Sequence, residues 1–128
     1  MCCLYLSFGM ELMQNEPPII QVEFADKFKR NLRALAKKYR SIRKDIQPII
    51  TQLEAGELPG DRIAGIDYTI LKLRVKNSDI KKGKSGGYRV IYYVKTTTNI
   101  ILITIYSKSE REDISAKEIK QVLAEFEQ

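Results

Sequence analysis

Lys84-Ser85-Gly86-Gly87-Tyr88-Arg89-Val90-Ile91-Tyr92-Tyr93-Val94 is a basic turn that runs directly into an apolar strand. Gly86 and Gly87 lack a Cβ and can reverse the chain at positive φ, which starts the strand at Tyr88. Alternation then places Tyr88, Val90, Tyr92 and Val94 on one face, and Arg89, Ile91 and Tyr93 on the other. Arg89 is thereby fixed on a sheet face beside a cationic loop. The chain on either side must supply the rest of the sheet and the elements that cover its apolar side.

Downstream, Asn99 opens a run, Ile100-Ile101-Leu102-Ile103-Thr104-Ile105-Tyr106, whose nearly unbroken apolar character suits a central strand covered on both faces. Upstream, Tyr68 to Val75 alternates, with Leu71, Leu73 and Val75 turned toward one layer and Tyr68, Ile70, Lys72 and Arg74 toward the other. The loop from Lys76 to Gly87 carries Lys76, Lys81, Lys82 and Lys84 against Asp79 alone. Residues Gly56 to Arg62 have loop chemistry. Before them, Phe28, Leu32, Leu35, Ala36 and Tyr39 recur at helical spacing between Asp26 and Arg40, with lysines and arginines filling most other positions. Ser41 can cap a second helix whose stripe is Ile42, Ile46, Ile49, Ile50 and Leu53, ending near Gly56. Pro48 inside it predicts a kink or a later start. Ile19 to Phe24 reads as a first strand at or near an edge. Ser115 and Glu118 form a capping box, with a staple from Ile114 to Ile119, for a last helix. The expected fold is an α+β domain: an antiparallel-dominated sheet with an N-terminal helix hairpin on one face and a C-terminal helix.

At 128 residues and 44% hydrophobic content, the chain suits one domain over residues 19–128, with 1–18 as a tail in which Met10 and Met13 are alternative starts. No basic residue precedes the short apolar run of the tail, which reads neither as an export signal nor as a membrane span. Lys and Arg number 22 against 16 Asp and Glu, a net charge of +6, which favours an anionic partner, nucleic acid first. Adjacent Cys2 and Cys3 suit neither an ordinary disulfide nor a zinc site, consistent with a reducing cytoplasm. There is no histidine, so the usual general base and the commonest metal ligand are both missing. Any chemistry falls to Lys, Arg, Tyr or carboxylates, and no cofactor is expected.

Lys72 and Arg74 project away from the helix hairpin, and if Arg89 does too, three cations meet on a shallow groove that suits a phosphate. RNA carries its own nucleophile, the 2′-OH. The protein then needs only to orient the groups, help remove a proton and neutralise the leaving charge. A lysine crowded by cations can serve as the base, which singles out Lys72. For Lys72 and Arg74, composition alone favours a solvated strand face over a phosphate site, and the lysine-rich loop fits a plain soluble loop as well as an RNA clamp. Tyr92 and Tyr93 suit a core or an interface more often than a base-stacking platform, though one of them must share the face of Arg89.

The ordered set Leu58-Pro59-Gly60-Asp61-Arg62, Leu71-Lys72-Leu73-Arg74, Gly83-Lys84-Ser85-Gly86-Gly87-Tyr88-Arg89-Val90-Ile91-Tyr92-Tyr93 and Ile105-Tyr106-Ser107-Lys108-Ser109-Glu110 resembles the RelE/HigB branch of the RelE/ParE toxin superfamily. The resemblance runs from about residue 19 to the C-terminus and implies the order β-α-α-β-β-β-α. It implies a small, metal-independent endoribonuclease, an mRNA interferase that cuts mRNA on the ribosome and is blocked by a cognate antitoxin. The family's strand lysine and arginine fall on Lys72 and Arg74, and the arginine opening the next strand falls on Arg89. A further strand lysine falls on Ile70, the arginine after the last strand on Ser109, and the C-terminal tyrosine on Ser115, so those three are not kept. Lys108 or Arg111 would replace the missing arginine, with Lys108 at the leaving oxygen, and Tyr106 or Glu110 could assist. Lys81, Lys82, Lys84, Tyr93 and Arg111 would contact RNA. The alternatives are a ParE-like gyrase-inhibiting toxin and a non-catalytic basic RNA-binding module.

Overall fold

The computed structural model describes residues 19–79, 87–108 and 113–127. Its elements run β1 (Gln21–Phe24), α1 (Asp26–Lys38), α2 (Ile42–Glu54), β2 (Asp61–Arg62), β3 (Ile70–Val75), β4 (Tyr88–Thr96), β5 (Asn99–Ser107) and α3 (Ala116–Glu127). Among the described residues these strands form one five-stranded sheet in the order β1-β5-β4-β3-β2. Only the β1–β5 pairing is parallel; the others are antiparallel. This is the expected α+β architecture, with β1 at an edge and β5 inside the sheet.

The first face is covered by the helix hairpin. Phe28 and Leu35 of α1, Ile42, Ile46 and Leu53 of α2, and Leu71, Leu73, Val75, Tyr88, Val90, Tyr92, Ile100, Leu102 and Ile105 of the sheet form one buried cluster. The α2 helix begins at Ile42 and continues through Pro48 as a single element. Ser41 precedes it without a side-chain cap; its amide instead donates to Asp79 Oδ2 at 2.8 Å, and the Ser78 amide donates to Asp45 Oδ2 at 2.9 Å. Two carboxylates thus tie the turn after β3 to the start of α2.

The second face is apolar at one end. Ile70, Ile91, Tyr93, Ile101, Ile103 and Tyr106 pack with Ile114, Ile119, Val122 and Leu123 at the start and on the inner side of α3. The capping residue behaves as expected, since the Glu118 amide donates to Ser115 Oγ at 3.2 Å, and Ile114 and Ile119 are both buried. Glu118 Oε2 also meets Lys27 Nζ of α1 at 3.2 Å.

Three local boundaries differ from the sequence reading. The strand expected from Tyr68 starts at Ile70, because Asp67 and Tyr68 bend and Tyr68 stays 36% exposed. Asp61–Arg62, expected as loop, pairs with Lys72 and Leu71 as a two-residue edge strand. The first strand, expected from Ile19, starts at Gln21. Residues 1–18 lie outside the described residues, as do 80–86 with Lys81, Lys82, Lys84 and Gly86, and 109–112 with Ser109, Glu110 and Arg111.

Candidate functional site: a cationic face built on three strands

Alternation on β3 and β4 brings the predicted cations to one face. In the antiparallel register Arg74 stands directly opposite Arg89, and Lys72 opposite Ile91. The helix-hairpin cluster takes Leu71, Leu73 and Val75 from β3 and Tyr88, Val90 and Tyr92 from β4, so Lys72, Arg74 and Arg89 face the other way. Arg89 cannot drift along the sheet, because Gly87 starts its strand at φ +116 and the Gly87 carbonyl accepts the Lys108 amide at 3.0 Å. A Cβ at Gly87 would stand 2.8 Å from the Val75 carbonyl oxygen, so glycine is required for β3 and β4 to close here.

The other flank of Arg89 depends on an irregularity in β5. Ile91 pairs with Thr104 but Tyr92 pairs with Leu102, which leaves Ile103 as an extra residue in β5. Before this bulge Ile101 and Ile103 face α3; after it Ile105 turns to the helix hairpin and Tyr106 to the α3 side. Tyr106 therefore lies directly opposite Arg89. Were β5 regular through Ile103, strict alternation from Ile101 would send Tyr106 to the hairpin face.

Arg89 is only 7% exposed. Among the described residues its one side-chain hydrogen bond runs from Nη1 to the Tyr88 carbonyl at 3.3 Å. Its cross-strand neighbour Arg74 is exposed and makes no hydrogen bond or ion pair among the described residues. Lys72 reaches the Asp113 carboxylate, Nζ to Oδ1 at 3.3 Å. That oxygen also accepts the Tyr106 hydroxyl at 3.3 Å and the Ile114 amide at 2.8 Å. The Ile114 amide above all, and then Lys72 and Tyr106, hold the Asp113 carboxyl below its ordinary value against some desolvation.

Lys108 follows the end of β5, half-buried, beside the start of β4. Tyr93 shares the Arg89 face but is 8% exposed and packs edge-on against Tyr68, with centroids 5.3 Å apart. The more exposed ring of that pair is Tyr68. Lys72, Arg74 and Arg89 thus lie on one face of the sheet, Arg74 and Arg89 directly opposite each other, and Tyr106 lies on the same face. The sequence reading missed Asp113, whose contact with Lys72 spans 41 positions and leaves no periodic or motif signal.

Among the described residues, no group of three or more His, Cys, Asp or Glu could hold a metal ion, and no helix is long and apolar enough to cross a membrane.

The sheet order and the cations on its second face describe a small basic α+β protein. The family model of the RelE toxin of the RelE/RelB toxin–antitoxin system matches residues 25–126, and the chain belongs to that family. It is on that basis a toxin of a toxin–antitoxin system, and the family implies an antitoxin as its partner.

Proposed function

We propose that the protein is a metal-independent endoribonuclease that cleaves mRNA on the ribosome, in the cytoplasm, and is silenced by its cognate antitoxin. The observation that carries this reading is Arg89: a guanidinium 7% exposed, opposite a second arginine, bonded among the described residues only to a backbone carbonyl. A buried cation with open donors, facing another cation, is costly unless an anion completes it. In this reading Arg89 and Arg74 hold the non-bridging oxygens of the scissile phosphate. Lys72 takes the proton from the 2′-OH, whose oxygen attacks phosphorus as the bond to the 5′-oxygen breaks. Lys108 assists at that leaving oxygen by giving it a proton from its ammonium, which makes the 5′-hydroxyl and balances the proton taken up by Lys72; the other product is a 2′,3′-cyclic phosphate. Positive side chains supply the charge stabilisation, and the substrate supplies the nucleophile. Lys81, Lys82, Lys84 and Arg111, with the Tyr68–Tyr93 pair, would grip the strand in a salt-sensitive way. The longer loop before Arg89 favours a HigB-like over a RelE-like toxin within the family.

The test is translation of a defined mRNA in a purified system with the toxin added, with breaks mapped by primer extension. Codon-associated breaks are expected, absent from untranslated mRNA and suppressed by a single 2′-deoxy substitution at the cut position. Intact mRNA together with gyrase-dependent DNA breaks would overturn the reading in favour of a ParE-like poison.

A further inference from the structure

Asp113 has no part in the scheme above, yet its carboxylate holds Lys72, the group assigned to the 2′-OH beside the scissile phosphate, together with Tyr106, to which the scheme gives no role. One oxygen, Oδ1, accepts from Lys72 Nζ and Tyr106 Oη, both at 3.3 Å. Those two donors come from β3 and β5, the strands on either side of β4, and β4 carries Arg89 between them. A carboxylate oxygen and a non-bridging phosphate oxygen ask for the same donors in the same geometry. We propose that Asp113 Oδ1 marks a phosphate-oxygen subsite, formed by Lys72 Nζ and Tyr106 Oη, that the protein fills with its own carboxylate until RNA displaces it.

Three features make the carboxylate displaceable. Its side chain is 64% exposed, so most of it already lies against water. Both of its contacts with the site residues are long for charge-assisted hydrogen bonds. The shortest bond, at 2.8 Å to the Ile114 amide, belongs to its own chain segment just before α3. Once the phosphate arrives, it and the carboxylate repel each other across the Lys72 ammonium, and the exposed carboxylate is the one with room to move. The free protein keeps Lys72 and Tyr106 aligned with Arg89, and RNA binding must overcome a standing competitor. The inference rests on the nuclease reading, since it presumes a phosphate as the displacing group.

The experiment measures binding of a short single-stranded RNA, 2′-deoxy at the cleavable position, to the wild-type chain, Asp113→Asn, Lys72→Met and the double variant at low salt. Asparagine still accepts from the Ile114 amide and the Tyr106 hydroxyl, so the entry to α3 is kept while the charge is removed. Asp113→Asn is expected to bind about two- to fivefold more tightly, the range an exposed ion pair of this kind represents. That gain should vanish in the Lys72→Met background, where there is no ammonium to compete for. Equal or weaker binding by Asp113→Asn, or a gain that survives Lys72→Met, overturns the inference while leaving the nuclease reading in place. No RNA binding by the wild-type chain, on or off the ribosome, overturns both.

Discussion

Replacing Arg89 by methionine should abolish cleavage and leave the protein slightly more stable. Methionine keeps the aliphatic bulk of the arginine stem on β4 and removes the guanidinium. In the folded state that group is 7% exposed and faces Arg74 across the β3–β4 ladder. Like charges directly opposite each other in a sheet cost roughly 0.2–1 kcal/mol, and the hydrogen bond lost, to the Tyr88 carbonyl at 3.3 Å, is long. The net expectation is a gain of about 0.5 kcal/mol, a rise in Tm of about 2–4 °C for a domain of this size. Activity should fall by roughly 10²–10³-fold, the usual effect of removing one donor aimed at developing charge. Arg89→Lys keeps the charge but loses the fork, and should fall between wild type and Arg89→Met. Urea unfolding followed by circular dichroism gives the stability, and primer extension on translated mRNA gives the activity. Arg74→Ala provides the control: its gain should not add to that of Arg89→Met, because both relieve the same repulsion. A loss of more than about 2 kcal/mol in Arg89→Met would refute the reasoning, since it would mean that the guanidinium holds the sheet together. Full activity in a folded Arg89→Met would remove Arg89 from the site.

Gly60→Ala should destabilise the fold by at least about 1–2 kcal/mol, the penalty of a left-handed backbone at φ +102, and more because its Cβ would stand 2.5 Å from the Lys72 carbonyl oxygen; urea midpoints check this. Stability should fall between pH 10 and 12: unfolded phenols ionise near 10, whereas burial pushes Tyr92 up to about 12 and Tyr88 higher, so the unfolded state binds fewer protons there. Tyr92 alone accounts for a loss of about 2–3 kcal/mol across that window, and Tyr92→Phe should flatten its share of the slope in thermal melts recorded against pH. Asp79→Ala should cost about 1 kcal/mol by leaving the Ser41 amide uncapped at the start of α2, read as a lower Tm with the β-sheet circular dichroism retained.

The cationic face was legible because β3 and the start of β4 alternate cleanly: Leu71, Leu73 and Val75 against Lys72 and Arg74, and Tyr88 and Val90 against Arg89. Period two leaves one assignment once a helix layer claims the apolar set. The same logic fails for β5, where Ile100 to Ile105 is apolar at every position but Thr104, so nothing in the pattern assigns a face or reveals the bulge at Ile103. The position of Tyr106 beside Arg89 follows from that bulge and was therefore not readable. Alternation misled in the other direction at Tyr68, where the pattern runs on past the residues that pair. The β2 segment is two charged residues long and lacks the β-branched content by which a strand is recognised. Asp113 is a matter of tertiary contact alone.

The Leu58-Pro59-Gly60-Asp61-Arg62 segment, one of the four stretches that carry the family resemblance, places Asp61 on the Lys72 face but makes no side-chain hydrogen bond or ion pair there among the described residues, and its role follows from what its backbone touches. Gly60 lies so close to the backbone of Lys72 that no Cβ fits between them, and its φ of +102 lets the chain turn there. Asp61 then pairs directly opposite Lys72, and the Ile63 amide closes the ladder onto the Ile70 carbonyl at 2.8 Å. From the next strand, the buried Tyr92 hydroxyl donates to the Pro59 carbonyl. Two of these contacts fall on the backbone of Lys72 and a third on that of Ile70, while the Tyr92 bond anchors the turn itself; together they cover β3, the strand that would otherwise be the exposed edge of the sheet and free to fray. A proton acceptor or phosphate ligand on a fraying edge would lose the fixed geometry that catalysis needs. In the proposed scheme the turn and its two-residue strand therefore act on Lys72 through the main chain, holding the β3 register that puts Lys72 and Arg74 on the same face as Arg89, which is why a stretch that supplies no reacting group belongs to the proposed site's construction.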